Sequence, residues 1–240
     1  GNNQSVIVHP NATLANSNDT PKYKESDFIV SNTGGVSTTS EISQKLILPI
    51  NKCYITASKG TDAYKQRFGF THYGIDMTSS IGNTTVYASG NGIIMDVGLD
   101  SIFGNTVIIK YQNVYNHITN KIQDVVFRYF HGASILVKKG QTVDANTKIM
   151  IYGQTGKYPV GSHLHISADY DCEHYQYEAG LASSGNIIKK GNDSTMFNPM
   201  EVLHCKTSLP DNQSITGDLT SKYNGLFYVN STDLNIPKII

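Results

Sequence analysis

Two short stretches hold most of the chemistry that this sequence can offer. "GSHLHISA", residues 161–168, sets His163 and His165 one residue apart within small and apolar neighbours, and "THYGIDM", residues 71–77, sets His72 four residues before Asp76. In an extended strand alternate side chains share a face, so His163, His165 and Ser167 fall on one side and Leu164, Ile166 and Ala168 on the other. The same parity groups His72, Gly74 and Asp76 against Tyr73, Ile75 and Met77, and even a helix would put His72 and Asp76 on one face. Two imidazoles and one carboxylate suit a divalent metal, and three protein donors leave a fourth tetrahedral position open for chemistry. "RYFHG" adds a third element: His131 ends an apolar run there and is predicted to stand at a sheet rim. Each histidine taken singly has an ordinary structural reading, and a bare His-x-His matches by chance about as often as not. Their joint occurrence in β-type segments of matching parity is what points to a metal-assisted site.

Strands must position these residues. From Lys45 the chain becomes a series of short β-rich runs, among them "CYITAS", "GIIMDVG", "NTVIIKY", "DVVFRYF" and "KIMIYG", separated by Gly, Asn, Asp and Pro. With almost no helical period, this pattern predicts a mainly β fold: an antiparallel sandwich or barrel-like sheet with few short helices. "NVYNHITNKIQ" reads as a long hairpin arm with His117 facing solvent. In "FNPMEVL", Asn198 before Pro199 predicts an N-cap and first position of a short helix. Residues 1–43 are polar and aperiodic and read as an N-terminal arm or linker, with His9 an ordinary surface residue. Residues 44–205 form the predicted domain, and 206–240 a C-terminal extension with a strand at "GLFYV".

Composition narrows the function classes. The 240 residues carry formal net charge +0 and only 16% charged residues, which argues against nucleic acid or an anionic membrane surface as partner. Fifteen tyrosines and no tryptophan suit half-exposed strands and polar grooves. No apolar run approaches the ~20 residues of a membrane-spanning helix, so no transmembrane segment is predicted in this chain. Cys53, Cys172 and Cys205 lack metal-type spacing and read as structural; a Cys172–Cys205 bridge stays open for an exported protein. With no initiator Met and no signal sequence, a processed or trimmed chain is expected, and an upstream anchor stays open.

In that order, "HYGID", "YFHG" and "GSHLHIS" resemble the signature of the M23 zinc metallopeptidases, the lysostaphin and LytM-type cell-wall endopeptidases. "VYASGNGIIMDVG", "FGNTVIIKY", "VKKGQTVDANTKIMIYGQTG" and "FNPMEVL" extend the resemblance across residues 45–204. It implies an antiparallel sheet forming a narrow groove, with Zn2+ at its floor held by His72, Asp76 and His165. His131 and His163 would be the two non-ligand catalytic histidines beside a metal-bound water. His163, on the ligand's face, is the choice for general base, with His131 orienting the water or bonding the oxyanion, although the two roles stay open to exchange. The implied reaction is hydrolysis of peptide bonds in bacterial peptidoglycan stem peptides or cross-bridges. A monomer is expected, acting outside the cytoplasm as a secreted, wall-associated or phage-virion-associated enzyme.

Two departures from the family pattern stand out. Residues 169–195 replace what is usually a short hairpin and could wall one end of the groove; His174 within them reads as a loop residue. A tyrosine often precedes the first metal histidine in relatives, and Tyr64 is the nearest candidate, at uncertain spacing. Three rival readings stay in view. A catalytically silent LytM-type scaffold or wall-binding module usually lacks ligands that are all present here. A non-haem iron oxygenase shares the two-His-one-carboxylate set but does not need two further histidines. A biotinyl- or lipoyl-type carrier would need a modifiable lysine in a tight hairpin, which "VKKGQTVDANTKI" does not offer.

Overall fold

Two long antiparallel strands, Gly104–Asn116 and Lys121–Ile135, form the spine of the computed structural model, which describes residues 29–31, 42–50, 52–204, 206–207 and 226–228. β-branched and aromatic residues dominate both, and Asn116 caps the turn between them by accepting from the backbone N–H groups of Ile118 and Thr119. The hairpin is the one the sequence predicts, but His117 is not solvent-facing. It is half-buried, its Nε2 bonded to the Met200 carbonyl at 2.7 Å, because the hairpin end folds back onto the Pro199–Glu201 turn.

Beside Lys121–Ile135 runs Leu164–Asp169, then Ile75–Ser79, then Lys52–Ala57, each pair antiparallel. Gly92–Asp100 flanks the other side of the spine, and Lys148–Tyr152 joins the Lys121–Ile135 strand to Thr85–Tyr87. The architecture is therefore mainly antiparallel β, with one short α-helix, Asp62–Phe68, and one 3-10 turn, Pro199–Glu201, among the described residues. Asn198 caps that turn by accepting from the Met200 N–H, with Pro199 at its first position as predicted. The α-helix is a feature that strand periodicity passes over. Its signals are nonetheless local: Asp62 in the first turn, Lys65 and Arg67 in the last, and Gly69 in the left-handed conformation that ends it.

One parity of the central strands builds the core. Ile75, Met77, Val107, Ile109, Phe127, Tyr129, Leu164 and Ile166 are all fully buried in one cluster. The opposite face is only partly open, because the 169–195 insertion folds across it. Ile188, together with the half-buried Cys172, Tyr175 and Leu181, packs on Ile108, Val126 and Phe130 in a second, smaller cluster. Burying one side chain such as Ile188 is worth roughly 1.5–3 kcal/mol, which anchors a segment that has little regular structure of its own.

Cys53 and Cys172 are free thiols, and Cys205, the other end of the bridge left open by the sequence, lies outside the described residues. Most of the predicted arm and extension also lies outside them. Ile29–Ser31 and Leu226–Tyr228, from those segments, pair with Ile42–Gln44 and Lys52–Ala57. No helix of the described residues is long and apolar enough to cross a membrane.

Candidate metal centre

Strand pairing brings the two opening motifs together. In the register between Leu164–Asp169 and Ile75–Ser79, His165 sits directly opposite Asp76. His72 lies upstream of that strand, which begins at Ile75, so strand parity does not place it. Instead its loop is tied down by the Gly60 N–H donating to the His72 carbonyl at 2.8 Å and by its ring Nδ1, 3.1 Å from the Ser58 carbonyl. The outcome is a tight triangle. His72 Nε2 is 3.1 Å from both Asp76 Oδ1 and His165 Nδ1, and His165 Nδ1 is 2.9 Å from Asp76 Oδ1. Each residue is at most 9% exposed.

This donor set fits a divalent cation. The Ser58 carbonyl can only accept, so it takes the Nδ1 proton of His72 and turns an Nε2 lone pair toward the triangle. That lone pair, the Nδ1 of His165 and an Asp76 oxygen then converge on one buried point. Lone pairs and a carboxylate oxygen this close repel one another unless a proton or a cation lies between them. Burial alone would raise the Asp76 pKa, but the adjoining His72 and His163 imidazoles outweigh it and hold the carboxyl well below its ordinary range. Gly74 explains the small residue inside "HYGID": a Cβ there would run into the Ile166 carbonyl oxygen and lie 2.6 Å from His165 Nε2.

His131 joins the group by an unexpected route. Its strand does not end there but continues to Ile135, and His131 itself adopts φ 65, the left-handed region that non-glycine residues rarely enter. Its N–H donates to the Phe103 carbonyl, its own carbonyl accepts from Gly153, and its Nδ1 is 3.0 Å from the Thr155 carbonyl. The conformational switch re-aims the ring without breaking the sheet. Burial, reinforced by the neighbouring His165 and His163, pushes its pKa down to about 3. His163 precedes the regular strand, in an isolated bridge to Gly153. Its Nδ1 is 3.0 Å from the Gly161 carbonyl and its Nε2 3.6 Å from Asp76 Oδ1. The His131 and His163 rings are 5.1 Å apart. All five residues singled out in the sequence thus share one site, whereas His174 is exposed on the insertion, paired with Asp171 at 2.8 Å.

The site lies in a cleft with two adjoining cavities. One, of about 380 Å³, is bordered by Arg67, Thr78, Val160 and His163; the other, of about 320 Å³, by His72, Phe103, Lys157, Glu178 and Leu181. Tyr64, Phe70, His131, Tyr158 and His165 border both. Glu178 was not assigned from sequence, and Tyr64 was named there only as the nearest tyrosine, at uncertain spacing. Tyr64 stacks on His72 with ring centroids 4.3 Å apart and planes inclined by 23°, a contact that the unread helix Asp62–Phe68 creates. Glu178 arrives from the insertion and carries no local signal.

Residues 70–177 match the model of peptidase family M23. It is 38% identical over 94 residues to the peptidoglycan DD-endopeptidase ShyA of Vibrio cholerae, covering 39% of this chain and 19% of that protein. It is 34% identical over 123 residues to ShyB, a peptidoglycan DD-endopeptidase of the same organism, covering 49% of this chain and 26% of that one. The chain therefore spans only about a fifth to a quarter of the length of these relatives. Among solved structures, it is similar to a zinc-containing peptidase from Vibrio cholerae, with 27% identity and TM-score 0.43 over 54% of this chain and 38% of that one. The catalytic domain of the prophage-encoded M23 protein EnpA from Enterococcus faecalis matches with 21% identity and TM-score 0.41, over 61% of this chain and 88% of that one.

Proposed function

We propose that this chain is a zinc-dependent endopeptidase that hydrolyses peptide bonds in bacterial peptidoglycan, with His72, Asp76 and His165 as metal ligands and His131 and His163 as catalytic histidines. The observation that carries this reading is the convergence of three ligand atoms within 4.8 Å of one another at a cleft that also receives two further imidazoles. Bound there, zinc would supply Lewis acidity toward a peptide carbonyl and acidify a water.

The chain's own residues do the rest. His163 commits Nδ1 to the Gly161 carbonyl and so presents Nε2 as a proton acceptor; on this reading it takes a proton from the attacking water and returns it to the leaving amine. His131 commits Nδ1 to Thr155 and is kept neutral by burial, so its Nε2 orients that water by accepting a hydrogen bond. Tyr64 holds the His72 ring by stacking. The catalytic unit on this reading is 44–205, flanked by a linker arm at 1–43 and an extension at 206–240. It works outside the cytoplasm of bacteria, as a monomer, and the peptidoglycan activity in the names of ShyA and ShyB supports that placement.

The test is mass spectrometry of fragments released from several purified peptidoglycan chemotypes by zinc-loaded and metal-stripped protein. Zinc-dependent release of cut peptides is expected. Binding to the wall with no bond cut in any chemotype would replace this reading with that of a catalytically silent wall-binding module.

A further inference from the structure

The 169–195 insertion does more than cover a sheet face, because it delivers a carboxylate to the cleft. Tyr177–Glu178 pairs with Lys189–Lys190 in a short parallel ladder, which fixes the Glu178 backbone. The side chain is only 3% exposed, yet it borders the same cavity as His72 and His165. Its Oε2 accepts from Arg128 Nη1 at 3.2 Å and from Ser167 Oγ at 2.5 Å. Arg128, fully buried, also donates from Nη2 to Asp169 Oδ2 at 2.8 Å and from Nε to the Tyr175 carbonyl at 2.7 Å. Two carboxylates thus share one guanidinium, and burial, opposed by Arg128 and the Ser167 bond, raises the Glu178 pKa. Both bonds to Glu178 are accepted by Oε2, and Oε1 accepts none from the described residues.

Asp169 alone would neutralise Arg128, so the guanidinium does not call for a second carboxylate, and burying one beside it is costly. Lys157, a cation on the same cavity, stands over the Tyr158 ring at 5.4 Å, and no ion pair among the described residues joins it to Glu178. We propose that Glu178 makes this half of the cleft a subsite for an ammonium group, a free primary amine carried by the peptide close to the bond that is cut. The inference rests on the peptidase reading and adds a specificity determinant to it. An ammonium entering the cavity favours the charged form of the Glu178 carboxylate at a site already desolvated, where a charge-assisted bond is strong.

The probes are cross-linked peptide dimers, prepared from peptidoglycan containing a diamino acid, with their amines free or acetylated. Titration calorimetry on the metal-stripped full chain reads binding without turnover, and the zinc-loaded chain reads cleavage of the same pair. The free-amine dimer is expected to bind about tenfold tighter than the acetylated one, with a similar ratio in kcat/KM. Glu178→Gln is expected to bring the ratio to about one, and Glu178→Asp to retain part of it. Equal binding of the two dimers by the wild-type chain, a measurement that needs no variant to fold, overturns the subsite, as does a ratio unchanged in a folded Glu178→Gln protein. Preferential binding of the free amine without cleavage by the zinc-loaded chain would sink the peptidase reading and leave the ammonium site standing.

Discussion

His165 Nδ1 lies 2.9 Å from Asp76 Oδ1 across a directly opposed pair of antiparallel strands, although 89 positions separate the two residues in the chain. Because sheet register holds this pair, losing either side chain leaves the backbone framework in place and removes a donor. Asp76→Ala and His165→Ala are therefore each expected to lower bound zinc from about one equivalent to near zero after desalting. Elemental analysis checks the stoichiometry. The stabilisation that excess zinc gives the wild-type chain, read as a rise in Tm, should vanish in both variants.

His163 stands outside the tight triangle, with its Nε2 3.6 Å from Asp76 Oδ1. His163→Ala should keep its zinc while losing hydrolysis by roughly 10²–10⁴-fold, the usual worth of a positioned acid–base group. Paired metal analysis and peptide-release assays decide it. Full turnover in the variant would mean that His131 or another group takes the proton.

Gly74 lies where no side chain fits, against the Ile166 carbonyl and the His165 ring. Gly74→Ala should destabilise the fold by about 1–3 kcal/mol through overpacking, because the obstacle is backbone of the adjacent strand. Chemical denaturation measures this, and a weaker zinc affinity should accompany it as His165 shifts.

Arg128 is completely buried between Asp169 and Glu178. Removing the cation strands two carboxylates in the interior, so Arg128→Ala should cost about 3–5 kcal/mol in denaturant unfolding.

His204, 1% exposed and remote from the metal triangle, sets a pH dependence of stability. Burial, with the nearby His117 and Lys45 adding to it, pushes its pKa down to about 3. In the unfolded chain an ordinary histidine takes its proton near pH 6.5. Between these values the unfolded state binds more protons, so stability falls as pH drops through that window, by at most about 1.4 kcal/mol per pH unit for this one group. Replacing it in His204→Gln should flatten the difference curve between pH 6.5 and 3 measured by denaturation. A slope equal to wild type would show that His204 is not a source of the acid sensitivity.

Much of the site was legible because its signals are short-range. The parity that sends Ile75, Met77, Leu164 and Ile166 to the core is a two-residue property of each strand, and so is the return of His165 and Asp76 on the other face. Asn198 before Pro199 is equally local. His131 shows the limit: its left-handed φ depends on bonds to Phe103, Gly153 and Thr155, none of them its neighbours in the chain. His117 shows it too, since only the fold sets Met200 against its ring.

By itself, the order of residues determined the β class, the motifs and the chemical type of the donors, because alternation and turn chemistry operate over a few bonds. Tertiary structure alone decided that His72 and His165, 93 positions apart, would meet at 3.1 Å, that Tyr64 would stack on the first of them, and that the insertion would place Glu178 on the cleft wall. Those facts depend on strand register and on the path of a long irregular loop, which are set by the packing of distant segments and leave no periodic trace in any one of them.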